Sequence, residues 1–159
     1  MPYQVTPIEL PRVLVARKRV RTAVRNLPAT IEDGFRALAR HVAEQGATPA
    51  GPPQVAYPGD FVPEGALEVE LLLPVDRPVP PGGGVETAEL PAGVAARTYH
   101  RGPYDAIGAA YDALFEWIAA HGRRQTGPPR EIYLTGPDAT DDPATYLTEM
   151  VVPLDRGDR

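Results

Sequence analysis

A chain of 159 residues with 43% hydrophobic and 23% charged residues fits one domain with a hydrophobic core. Its net charge of -5 and pI near 5.2 argue against general nucleic-acid binding. Neither cysteine nor serine occurs, so disulfides, thiolate metal sites and serine or cysteine nucleophiles are excluded. Threonine, tyrosine, carboxylates or activated water remain for any chemistry. No apolar run nears the ~20 residues of a membrane span, and Met1-Pro2-Tyr3-Gln4 opens no secretion signal. A cytoplasmic protein without membrane contact is expected.

The first predicted strand runs from about Val13 to Arg25. Its basic stretch, Arg17-Lys18-Arg19 with Arg21, reads as a solvated strand face. A helix follows, with Thr30 and Asp33 resembling a capping box and Ile31, Phe35, Leu38 and Val42 spaced along one face. Gly46 ends it. Strands around Gln54–Tyr57 and Ala66–Val75 come next. Residues 78–84 read as a linker, and Gly82-Gly83-Gly84 opens no helix, so it lacks the setting of a phosphate loop. A strand from about Val94 to His100 precedes a helix that begins after Gly102-Pro103. That helix has Ile107, Tyr111, Leu114 and Ile118 on one face and closes at Gly122. Strands Arg130–Thr135 and Thr145–Leu154 complete the chain, with Asp138, Asp141 and Asp142 in a polar hairpin loop.

These elements repeat. At an offset of 76, residues 20–57 align without a gap on 96–133, with 12 identities in 38 positions. They include Arg21/Arg97, Thr22/Thr98, Arg25/Arg101, Ile31/Ile107, Leu38/Leu114, Gly46/Gly122 and Tyr57/Tyr133; Phe35/Tyr111 is conservative. At an offset of 79, residues 70–77 align on 149–156. The chain is therefore expected to be a single α+β domain of tandem β-α-β-β units, about 7–77 and 85–156. Together they should form one antiparallel sheet of about eight strands, with two main helices on one face and a cleft between the units.

Divergence between copies indicates specialisation. Seven of eleven aromatics lie in the second half: Tyr99, Tyr104, Tyr111, Phe115, Trp117, Tyr133 and Tyr146. Trp117 replaces His41 and lies about 110° from the centre of its helix's apolar face, which suits a rim. Glu149 shares its strand face with Leu147 and Val151, so it sits at an exposed edge or is placed inside with compensation. Its counterpart Glu70 shares a more water-facing pattern with Glu68 and Leu72. His41, His100 and His121 are dispersed, so neither a metal site nor any other cofactor is expected.

Three motifs in order resemble the GyrI-like small-molecule-binding domain: His100-Arg101-Gly102-Pro103-Tyr104, Gly127-Pro128-Pro129-Arg130-Glu131-Ile132-Tyr133 and Thr148-Glu149-Met150-Val151-Val152-Pro153. This is the effector-binding module of MerR-type and AraC-type multidrug-responsive activators, also found alone. The resemblance implies an aromatic-lined cleft whose acidic residue, in the Glu-x-x-x-Pro strand, faces lipophilic cations. Carried over, that role falls on Glu149, with Tyr133, Tyr104 and Trp117 as walls and Tyr111, Tyr57 and Glu70 as further ligand-binding candidates. The first strand starts within about a dozen residues, leaving no room for a helix-turn-helix, so direct DNA binding is not expected. The expected partner is a small hydrophobic or cationic organic molecule. The alternative is a hydrolase opening cyclopropane-bearing genotoxins, with Glu149 as general base and Tyr133 or Tyr104 hydrogen-bonding the oxyanion. Inhibition of DNA gyrase, the source of the family's name, has no support in charge or motif.

Overall fold

The computed structural model describes residues 3–59, 66–136 and 140–156; Asp138 of the predicted hairpin loop lies outside them. Eight strands form: β1 (Thr6–Leu10), β2 (Val13–Ala23), β3 (Gln54–Ala56), β4 (Ala66–Pro74), β5 (Val85–Leu90), β6 (Gly93–Arg101), β7 (Arg130–Thr135) and β8 (Leu147–Leu154). Helix α1 (Leu27–Glu44) joins β2 to β3, and α2 (Gly108–Ala120) joins β6 to β7. The α+β class, the antiparallel pairing and the two main helices are as the sequence predicts. No helix among the described residues is long and apolar enough to cross a membrane.

Strands β1 and β5 had no place in the predicted β-α-β-β pattern. Both are short, and β1 holds Pro7, which an edge strand tolerates because one side of its backbone needs no ladder partner. The strand order is β1-β6-β8-β7 within the unit made by residues 1–11 and 92–159, called here unit 1. Residues 12–91 make unit 2, ordered β3-β4-β2-β5. Each compact unit thus takes its outer strand from the start of the other sequence copy.

The registers also revise the internal alignment. Leu10 faces Gly93 and Ala95 faces Pro153; Leu90 faces Val13 and Val15 faces Pro74. The first two strands of each copy are therefore equivalent at an offset of 80, not 76. Arg17 corresponds to Arg97 and Arg21 to Arg101, and Glu9-Leu10-Pro11 repeats as Glu89-Leu90-Pro91. The matches Arg21/Arg97, Thr22/Thr98 and Arg25/Arg101 are coincidental. Offset 76 holds from helix to following strand, where Gly34, Leu38 and Val42 are buried as are Ala110, Leu114 and Ile118.

Helix starts differ from expectation. Thr30 is not a cap: α1 begins at Leu27, and the Thr30 hydroxyl lies 2.9 Å from that of Thr22, while Asp33 pairs with Arg36. Pro103 precedes a 3-10 turn, Tyr104–Ala106, and α2 starts at Gly108. Both helices end as predicted, at Gly46 (φ 77) and Gly122 (φ 62), where the left-handed backbone favours glycine.

In unit 1, Ala96, Met150, Val152 and Leu154 pack with Ala110, Leu114 and Ile118 of α2. In unit 2 the helix approaches so closely that a Cβ on Gly34 would lie 2.1 Å from Leu71 Cδ1. The equivalent pair in unit 1 is Ala110 with Met150, both fully buried in one cluster. Gly34→Ala should therefore destabilise by about 1–3 kcal/mol, because overpacking outweighs the ~1 kcal/mol helix-propensity gain. Leu71→Met, an unbranched chain that can yield, should restore most of that loss. Chemical denaturation of the two single variants and the double variant checks this; additive losses would refute it.

Candidate functional site

Alternation along β7 and β8 sorts the candidate side chains onto two faces of the unit 1 sheet. Glu131 lies opposite Met150, and Tyr133 opposite Thr148. Met150 packs with α2, so Glu131 and Tyr133 are on the helix-bearing face. Ile132 lies opposite Glu149, and Arg130 opposite Val151, on the other face.

Glu131 is the polar centre of the helix-bearing face. It is only 6% exposed. Its Oε2 accepts a hydrogen bond from the Tyr111 hydroxyl on α2 at 2.5 Å, and its Oε1 from the Tyr133 hydroxyl at 2.7 Å. Two phenols thereby compensate for burying a carboxylate. Aromatic rings extend from this centre. Tyr111 stacks on Phe115, with ring centroids 6.4 Å apart. Tyr104 meets Tyr133 edge-on at 5.4 Å and stacks on Tyr146 at 5.1 Å. The loops hold this arrangement. Gly102, at φ 122, donates its backbone N–H to the Tyr146 carbonyl at 2.8 Å, bringing the Tyr104 turn beside Tyr146. Asp142 accepts from the Ala144 N–H at 3.1 Å and caps the short turn before Tyr146. Tyr104 and Phe115 are the exposed members.

Glu149 belongs to the other face. It is half-buried, with its Oε2 3.8 Å from Arg97 Nη1. Burial raises its carboxyl above the usual range, partly offset by Arg97 and Arg130. Burial likewise pulls Arg130 down, with Glu149 opposing.

The structure therefore unites Tyr104, Tyr111 and Tyr133 and sets Glu149 behind the sheet from them. Trp117 packs on the α2 core, its ring stacked on His121 at 4.0 Å between centroids. Tyr57 and Glu70 lie in unit 2, where Glu70 faces Arg19 across the ladder at 3.0 Å. The basic stretch of β2 is laddered against glutamates, Arg17 with Glu86 and Arg21 opposite Glu68. Tyr146 and Phe115 belong to the aromatic surplus of the second half, whereas Glu131 stands out in the sequence only as part of a motif. The signal for Glu131 lay in the copies: its counterpart is buried Val55, and Tyr111 replaces Phe35. The second copy carries a carboxylate and a matching hydroxyl where the first has neither. Among the described residues, no group of His, Cys, Asp or Glu is arranged to hold a metal.

The raised carboxyl of Glu149 has a definite sign. Its contribution to stability is best below the unfolded value of 4.5 and is lost as pH rises through the higher folded value. Carbon NMR should show Glu149 titrating above the ordinary glutamate value of 4.5. As pH rises above 4.5, Glu149→Gln should gain stability relative to the parent in chemical denaturation. An unchanged difference would refute this.

No curated protein sequence matches the chain. Among solved structures, the EcmrR C-terminal domain is similar, with a TM-score of 0.89 and 25% identity over 99% of this chain and 100% of that one. A hydrolase encoded by lin2189 from Listeria innocua shares the fold at a TM-score of 0.66 and 13% identity, over 97% and 93%. SAV2435 bound to tetraphenylphosphonium does so at 0.58 and 13%, over 98% and 95%. The model of the GyrI-like small molecule binding domain matches residues 1–155, and the chain belongs to that family.

Proposed function

We propose that this domain captures lipophilic aromatic cations on the helix-bearing face of unit 1, at the carboxylate of Glu131. The observation that carries this reading is a buried carboxylate bonded to two phenols and flanked by further aromatic rings. Rings attract a planar or multi-aryl cation by dispersion and by their negative faces, and a carboxylate shielded from water attracts its charge. Exposed Tyr104 and Phe115 are the rings such a molecule meets first. The likeness in fold to SAV2435 bound to tetraphenylphosphonium is in keeping with this class of ligand.

The hydrolytic alternative joined Glu149 as base to Tyr133 as oxyanion donor. The two side chains leave the sheet on opposite faces, so capture is the better reading. A cyclopropane-bearing substrate should therefore emerge unchanged in mass spectrometry.

Isothermal titration with tetraphenylphosphonium tests the proposal. Binding should weaken roughly 10–100-fold in Glu131→Gln, the worth of one charge-assisted contact. It should stay within about twofold of the parent in Glu149→Gln, which lies behind the sheet. Equal affinity in Glu131→Gln, or no heat with any of several aromatic cations, would reject it.

A further inference from the structure

The face of the unit 1 sheet away from α2 carries charge that the proposed cation site does not use. Arg97 on β6 and Arg130 on β7 both sit opposite Val151, so the two side chains flank one residue of the central strand. Around Val151 lie Ala95 and Ile132, with Ile8 and Leu10 packed against them. Arg130 is 7% exposed, yet its Nε and that of Arg97 are buried without a hydrogen-bond partner. Glu149 reaches Arg97 only at 3.8 Å, beyond hydrogen-bond range. Among the described residues, two guanidiniums face one carboxylate here above apolar side chains. A buried donor left unmade costs free energy that an oxygen acceptor would recover.

The other copy solves the same position differently. In unit 2, Arg17 takes the place of Arg97 and bonds Glu86 of β5 at 2.7 Å. The residue opposite Arg97 on β1 is Thr6, so that internal carboxylate is missing. Where unit 2 has Gln54, unit 1 has Arg130. One copy answers its arginine from within; the other has Thr6 in place of the acid and Arg130 in place of Gln54. Both differences add to the positive charge on this face.

The geometry points to an oxyanion receptor on this face, in which the guanidiniums of Arg97 and Arg130 hold a carboxylate or phosphate group. Planar guanidinium forks suit either anion, and Arg97, partly exposed, opens the site to solution. Glu149 stands beside the anion and limits its affinity by repulsion. This site lies behind the sheet from Glu131 and stands whether or not that residue binds cations.

Titration of the folded chain with inorganic phosphate, and separately with acetate, at constant ionic strength tests it. The readout is the arginine Nε–H resonances in nitrogen–proton NMR spectra. Those of Arg97 and Arg130 should shift saturably with one or both anions, while those of exposed Arg36 and Arg156 should not. The stronger anion identifies the natural oxyanion class. Thr6→Glu, a change on an edge strand, restores the internal acid and should weaken binding roughly tenfold or more. Glu149→Gln should tighten it several-fold. Shifts no larger than those of the exposed arginines, or a titration untouched by Thr6→Glu, would overturn the proposal.

Discussion

Burying the carboxylate of Glu131 under a helix is the demand that shapes unit 1. A carboxylate moved from water into a packed interface loses several kcal/mol of hydration unless donors replace the water. Those donors come from Tyr111, one turn into α2, and Tyr133, two residues along the same strand. Tyr111 must therefore reach from α2 to Glu131 on β7, while Ala110, Leu114 and Ile118 stay on the apolar core. Tyr104 and Tyr146 then pack around Tyr133, fixed by the Gly102 turn.

Unit 2 shows the same scaffold without that demand. Val55 occupies the Glu131 position and Phe35 the Tyr111 position, so neither the buried acid nor its hydroxyl donor is present at these positions. Close approach replaces polar pairing, with Gly34 against Leu71. The two copies thus share a set of packed positions but differ in how they are satisfied, one by shape and one by hydrogen bonds.

Much of this was legible in the sequence. Helix faces, the long strands and the terminating glycines follow from periodicity and backbone preference, which are local. Strands β1 and β5 were missed because short edge strands hold few residues in any pattern, and Pro7 weakens the signal further. The four-residue change of offset between strand and helix was hidden by three chance arginine and threonine matches. Of the site, the second-half tyrosines were found by their surplus. The acid was not, because Glu149 stood out by its apolar neighbours while Glu131 stands beside Arg130 and Ile132 in a run that looks amphipathic. Only pairing Val55/Glu131 with Phe35/Tyr111 would have shown a carboxylate and its donor arriving together.

The strand alternation that separates Glu131 from Glu149 also sets the electrostatic character of unit 1. Glu131 and Arg130 are neighbours in sequence, yet their side chains leave opposite faces of one sheet. The helix-bearing face concentrates a carboxylate among aromatic rings; the reverse face carries two arginines around one acid. A one-residue slip of β7 that set Arg130 opposite Met150 would place a guanidinium on the Tyr111 face and bring Glu131 opposite Glu149. Register is therefore under chemical as well as hydrophobic control. The charge of each face depends on the pairing of β7 to β8.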